Sequence, residues 1–329
     1  MNVAVPFPSQ QPSGYEWFDD EPVFDPRRHL QLEAPSDVVM LADFWYDDEE
    51  IATTATPVAI SSPFRMLSDE GAAVLRDTAR RLRIFARSAG DRVESAVRGG
   101  CYRSRWLRDL AVSPEVTEHL STIYGTDVAP HPMPLHLGHL NYEPATIDTA
   151  IDKWHRDTLP LDYVLAVTDP ATVQGGRFEY FVGTAHEAAE LAAQGRRPPA
   201  DRVVAPEFPA AGYAVALHGN MVVHRAGPLT APGERISMVN GYVAMDPSCG
   251  DQSRTVDLLA VDDPEVLFAE WARFAAWRAG QRLEHLTESI EFGMDRDLVA
   301  IQLEEAVETV MSAARQMRET PSVTHHYEQ

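Results

Sequence analysis

The chain has little cysteine, almost no lysine and a deficit of positive charge. Cys101 and Cys249 are the only cysteines in 329 residues, too few for a disulfide framework and too far apart for a cysteine-based zinc site. Of 28 basic residues only Lys153 is a lysine, so lysine-dependent chemistry has a single candidate. Against those 28 stand 50 acidic residues, a formal charge of −22. That balance argues against nucleic acid and anionic membranes as partners, because both select basic surfaces. No stretch approaches the roughly 20 apolar residues that cross a bilayer. The N-terminus also lacks a basic segment followed by an apolar run. The expectation is a cytoplasmic protein without membrane attachment. What the chain does have is an apolar fraction of 44%, with six Trp and twelve Phe, enough for a sizeable core in one large domain.

Residues 1–62 mix proline, acidic residues and scattered aromatics without a clear period, and read as an extended N-terminal arm. The next segment, 63–250, opens with helices. Ser68 caps one, Asp69 and Glu70 suit its positive end, and Val74, Leu75, Leu82 and Phe85 recur at helical spacing. This helix is expected to end near 88–90; a second spans Pro114–Tyr124 and stops at Gly125. From about 131 to 246, short apolar runs alternate with Gly, Pro and Asn breaks, the pattern of a sandwich or barrel. Gly219-Asn220 reads as a tight turn, and 184–195 as an interrupting helix with Thr184 and Glu187 at capping-box spacing. Residues 251–329 turn helical again, starting at Asp263-Pro264 and once more near Asp295 or Asp297. With no repeats and no linker, the expected fold is a mainly β core with flanking helices in a single domain.

The chemistry concentrates at Trp154-His155-Arg156-Asp157. In a strand, positions i and i+2 share a face, so His155 and Asp157 can converge. A His-x-Asp triplet alone is a weak signal. His224, at the end of a later apolar run, is the natural third ligand, and two His with one carboxylate leave open positions on a metal such as non-haem iron. Arg235 and Ser237 follow, two apart and on one strand face, a pairing suited to capturing a carboxylate.

These segments together resemble the Fe(II)/2-oxoglutarate-dependent dioxygenases, in particular the phytanoyl-CoA dioxygenase-like branch of small-molecule hydroxylases. The resemblance covers roughly 63–246 and rests on WHRD (154–157), GGRFEYFVGT (175–184) and GYAVALHGNMVVHRAGPLTAPGERISMVNGY (212–242). It implies a double-stranded β-helix, a jelly-roll or cupin-like barrel, holding Fe(II) through His155, Asp157 and His224. It further implies that Arg235, helped by Ser237, holds the distal carboxylate of 2-oxoglutarate. O2 would be the oxidant and a small molecule the substrate, oxidised at a C–H bond. Halogenases of this family carry a small residue in place of the carboxylate, so Asp157 favours hydroxylation or a related oxidation. The arginine-for-lysine bias, with abundant Ala, Pro and Gly, marks a GC-rich coding sequence and would fit bacterial secondary metabolism.

Competing readings stand beside these. An Arg-x-Ser pair also occurs in isopenicillin-N-synthase-like oxidases, which use no 2-oxoglutarate, and a non-catalytic cupin-like binding protein would keep the barrel. His131, His136 and His139 cannot all share one strand face and are not taken as ligands. Asn141, on the same face as His139, is a candidate donor to 2-oxoglutarate. Arg103 and Arg105 alternate with Ser104 and are candidates for an anionic ligand, against ordinary surface ion pairing. Trp154 lies on the face opposite His155, where core packing competes with substrate stacking. His218 reads as loop-end packing, and Trp271, Phe274 and Trp277 as a helix face on the core. A homodimer through the C-terminal helices is the expected form if the protein is not a monomer.

Overall fold

The computed structural model describes residues 4–251, 253–255, 258–318 and 326–328. The chain begins with α1 (Pro26–His29), β1 (Val38–Met40), α2 (Asp48–Ala52), β2 (Val58–Ser61) and β3 (Phe64–Arg65). Next come α3 (Asp69–Leu82), the pair β4 (Arg87–Ala89) and β5 (Val93–Val97), and helices α4 (Arg105–Ala111) and α5 (Pro114–Tyr124). The central strands are β6 (Val128–Pro130), β7 (His139–Tyr142), β8 (Ala150–His155), β9 (Leu161–Ala166) and β10 (Phe178–Phe181). After α6 (Ala185–Ala193) follow β11 (Val203–Val204), β12 (Tyr213–Leu217), β13 (His224–Pro228) and β14 (Ile236–Ala244). Two long helices, α7 (Pro264–Ser289) and α8 (Arg296–Gln316), come last.

The strands form two antiparallel sheets. The larger has the order β1-β2-β12-β9-β14-β7-β5-β4, with β3 and β6 on β12 and β14; the smaller is β11-β10-β13-β8. Between β7 and β14 the chain passes repeatedly from one sheet to the other, as a jelly roll does. The barrel expected from the sequence is not closed: among the described residues no strand pairing joins the two sheets.

Strand alternation sorts the core. On β9, Tyr163 and Leu165 face outward onto a large apolar cluster that includes Leu75 and Leu82 of α3, Leu107 and Leu110 of α4, and Leu120 of α5. Val164 faces inward, where it packs with Phe178, Tyr180, Val215 and Leu217 between the sheets. A fully buried leucine or phenylalanine contributes roughly 1.5–3 kcal/mol, so the outward cluster fastens the helical layer firmly to the large sheet. Trp271 and Phe274 of α7 pack with Met133, Leu135 and Val243, the helix-on-core arrangement expected of them. α8 is different: Ile301, Val307 and Met311 remain exposed. Among the described residues no helix is long and apolar enough to cross a membrane.

Two local differences from the sequence reading have clear causes. The helix expected to reach 88–90 stops at Leu82 and passes through a tight turn at Arg83–Phe85. Gly90, with φ of 70°, then reverses the chain between β4 and β5. The N-terminal arm is not merely laid on the core, because its residues 38–61 supply β1 and β2, and Ile60 pairs with Leu217 of β12.

Candidate metal centre

Strand register brings the three candidate ligands together. β13 runs antiparallel to β8 with His224 directly opposite His155, and the two imidazole rings lie 4.3 Å apart. Asp157 lies just past the end of β8, where its backbone N–H donates to Gly219 O at 2.8 Å. One ligand atom from each of His155, Asp157 and His224 lies within 4.8 Å of the others. The imidazoles are oriented by the backbone: His155 Nδ1 contacts Lys153 O at 2.6 Å and His224 Nδ1 contacts Val222 O at 2.9 Å. Those contacts place the proton on Nδ1 and leave both Nε2 lone pairs for a metal. The Nε2 atoms of His155 and His224 are each 3.4 Å from an Asp157 carboxylate oxygen.

Electrostatics favour a cation here. Burial works against the charged form of Asp157, but His224, His155 and Arg92 outweigh it and hold the carboxyl well below its ordinary range. Asp157 Oδ2 is buried without a hydrogen-bond partner. Burial and the neighbouring His155 lower the His224 pKa to about 4, keeping the ring neutral at ordinary pH. A deprotonated carboxylate, the neutral His224 ring, the His155 Nε2 beside it and an orphaned oxygen fit a divalent metal, and the donor set is that of a mononuclear site with open positions.

Two further carboxyl residues shape this centre. A register shift opposite His224–Ala226 turns Asp152 inward along with His155, and Asp152 Oδ1 lies 3.2 Å from His155 Nδ1 and 3.1 Å from Arg92 Nε. Asp162, on β9, is fully buried. Burial and the adjacent Asp157 carboxylate push its pKa far up, so it is held as the neutral acid. Both were missed in the sequence. The available signal was an aspartate at an interior position of an apolar strand, as in LDYVLAV.

Arg235 and Ser237 border the same cavity, together with Asn141, which faces Ser237 across β7 and β14. The glycine pair positions the arginine. Gly175 and Gly176 have φ of 78° and 65°, and a side chain at Gly175 would meet Pro228 O at 2.5 Å. The turn they make presents Gly176 O to Arg235 Nε at 3.1 Å, while Arg235 Nη1 donates to Ser237 Oγ at 2.6 Å. Burial lowers the Arg235 pKa to about 10, with Asp152 and Glu143 acting in the opposite direction. Glu143 spends its carboxylate on the Arg235 backbone N–H and on Arg83. Among the described residues Arg235 forms no direct ion pair.

The other candidates lie elsewhere. Arg103 stacks on Tyr15 and Phe85 and donates to Gly14 O. Arg105 sits by Trp17 and contacts Phe18 O, so both arginines fasten the N-terminal arm and neither borders the metal cavity. Trp154 is buried on the outer face of β8 with Phe181, Leu191 and Val223, under the Arg225 guanidinium. His218 packs at its loop end, its Nδ1 3.2 Å from Val58 O.

No family model matches the chain, and no curated protein matches it. Several solved structures do. One is the non-heme alpha ketoglutarate dependent epimerase SnoN from nogalamycin biosynthesis, with 18% identity, a TM-score of 0.42, and 60% of this chain and 82% of that one covered. Another is AviO1 from Streptomyces viridochromogenes Tue57, at 19% identity and a TM-score of 0.42 over 65% of this chain and 98% of that one. A third is EctD from S. alaskensis with 2-oxoglutarate and 5-hydroxyectoine, at 18% identity and a TM-score of 0.39 over 73% and 87%.

Proposed function

We propose that the protein is a non-haem Fe(II)/2-oxoglutarate-dependent oxygenase that hydroxylates, or otherwise oxidises a C–H bond of, a small molecule. The observation that carries this reading is a three-ligand centre sharing a cavity with a half-buried guanidinium that has no direct counter-ion among the described residues. Withdrawing a charge from water is costly unless it is paired, so Arg235 calls for an anion in that cavity. A dicarboxylic cosubstrate with one end on the metal and the other on Arg235 meets both demands.

His155, Asp157 and His224 would hold Fe(II), which supplies O2 activation coupled to decarboxylation of 2-oxoglutarate. The residues around it do the rest. Arg235 and Ser237 bind the distal carboxylate, with Gly176 O fixing the guanidinium plane. Asn141, opposite Ser237 on the cavity wall, would hydrogen bond to the same cosubstrate. Asp152 and the carbonyls of Lys153 and Val222 hold the imidazoles in one tautomer, and the neutral Asp162 packs beside Asp157 without adding a second negative charge. Phe178, whose ring lies 5.6 Å from that of His224, and Val164 and Val239 give the cavity dry walls, which confine the oxidant to the bound substrate.

The test is spectroscopic. Anaerobic addition of Fe(II) and 2-oxoglutarate should give a weak visible charge-transfer band that is lost in His155→Ala and Asp157→Ala. A well-folded, metal-loaded protein that gives no such band would overturn the 2-oxoglutarate reading.

A further inference from the structure

The metal cavity has a second polar wall that cosubstrate binding does not use. Along the large sheet the inward positions run from Ser237 and Asn141 to Val239 and His139, and then to Gly241, whose Cα faces His136. Arg98 follows β5 directly and borders the same cavity. On this wall Arg98 Nη2, His136 Nε2 and His139 Nε2 are buried with no hydrogen-bond partner. Unmatched buried donors and acceptors are expensive and rare in native proteins. Three together on one cavity wall mark a place where a ligand completes the bonding.

Charge then narrows the ligand class. Arg98 Nε is held by both carboxylate oxygens of Asp262, at 2.7 and 2.9 Å. The other guanidinium on this side, Arg92, is paired with Asp152. The wall therefore offers N–H and imidazole edges without net positive charge, in contrast to Arg235 at the far end. Leu159, Leu258 and Val261 border the cavity as apolar surface. An anion brought here would meet a guanidinium already neutralised and the Asp262 carboxylate behind it, and its desolvation would go uncompensated.

We propose that Arg98, His136 and His139 form the substrate subsite, and that it selects an uncharged, oxygen-bearing molecule whose carbonyl or hydroxyl accepts from Arg98 Nη2 while further hydroxyls pair with the two imidazoles. This rests on the reading of the centre as an iron and 2-oxoglutarate site.

The test uses the full chain loaded with Zn(II) and 2-oxoglutarate and two matched probes, 4-hydroxycyclohexanone and 4-oxocyclohexanecarboxylate, followed by saturation-transfer NMR. The neutral probe should bind, and the acid at least about tenfold more weakly. Arg98→Lys keeps a cation opposite Asp262 but lacks Nη2. It should weaken the neutral probe about tenfold, equivalent to about 1.4 kcal/mol, with 2-oxoglutarate affinity unchanged. His139→Phe, which breaks no hydrogen bond of its Nε2, should act the same way and serves if the lysine variant folds poorly. The inference is overturned if the acid binds as well as the neutral probe, if neither binds at tens of millimolar, or if both variants bind the neutral probe like the parent. Wild-type protein with Fe(II) and 2-oxoglutarate separates the two levels. Without the charge-transfer band the reading of the centre fails, and this inference with it; with the band but without neutral-probe binding, only the subsite assignment fails.

Discussion

Gly219 lies where the metal-binding carboxylate and its buried neighbour meet, and adding one methyl group there should disable the centre without touching a ligand. A Cβ at Gly219 would stand 2.2 Å from Asp162 Oδ2 and 2.9 Å from both Cβ and Oδ2 of Asp157. Ordinary contacts of carbon are roughly 3.5 Å, so a carboxyl must move by about 1 Å or more. Gly219 is not among the glycines with positive φ, so the conflict is one of space and not of backbone conformation. Overpacking of this kind costs about 1–3 kcal/mol, a loss that a domain with a core of this size survives. The centre is less tolerant. Its three ligand atoms lie within 4.8 Å of one another, and an ångström of displacement at Asp157 takes one of them out of reach. Gly219→Ala should therefore lower Fe(II) affinity by about 10–100-fold, the range typical of lost support around metal ligands. Anaerobic Fe(II) titration, with thermal melting as the control for folding, measures both effects. Asp162→Ala removes the 2.2 Å contact, so the double variant should bind iron better than Gly219→Ala alone, a coupling that a double-mutant cycle reads directly. Wild-type iron affinity in Gly219→Ala would refute the packing argument.

Other expectations follow from the same geometry. Arg235→Gln should leave Fe(II) binding intact and weaken 2-oxoglutarate by about 10–100-fold, since hydrogen bonds to charged groups contribute about 1.5–3 kcal/mol; titration calorimetry on the metal-loaded protein reads this. Ser237→Ala should have a smaller effect of the same kind. Arg105→Ala should change neither affinity, because that side chain contacts the N-terminal arm; a tenfold loss of 2-oxoglutarate binding would contradict its placement. Glu270 gives a pH prediction. Burial raises its pKa to about 8, although Leu135 N–H and Tyr102 hydroxyl bonds oppose the shift. The folded state then holds a proton that the unfolded state releases above its ordinary carboxylate range. Stability from this group is complete below about pH 4.5 and is lost as pH rises towards 8. In Glu270→Gln, the fall in melting temperature between pH 5 and 8 should be shallower than in the parent, whatever the absolute stability of the variant; parallel curves would refute the assignment.

The ligand set was legible because it depends on the two simplest rules of a sheet. His155 ends β8 and His224 opens β13, and the two stand directly opposite each other on these adjacent antiparallel strands, while Arg235 and Ser237 share a face by alternation alone. What escaped depends on departures from alternation. Asp152 is three residues from His155, and by strict period it belongs on the other face; only the register shift opposite Ala226 turns it inward. Arg103 and Arg105 look like same-face strand residues, yet one caps a tight turn at Gly100–Tyr102 and the other opens α4, so they turn toward the N-terminal arm. The β4–β5 pair was lost because the helical pattern of α3 runs on through Phe85 without an obvious stop before Gly90. The substrate wall is the hardest case, since Arg98, His136, His139 and Leu258 come from four separate elements or their flanks and have no spacing in common. That division has a mechanistic consequence. Of the metal and cosubstrate contacts, His155, His224, Asn141 and Ser237 sit on paired strands, and Asp157 and Arg235 lie one or two residues beyond strand ends, tied there through their backbone N–H groups to Gly219 O and Glu143. The wall assigned to the substrate is assembled from turns and strand ends, where substitutions alter the ligand accepted without disturbing the iron. Exchanging polar groups at 98, 136 and 139 should therefore move substrate preference while leaving the charge-transfer band unchanged, and a band that shifted with every such exchange would show that the two functions share one rigid unit after all.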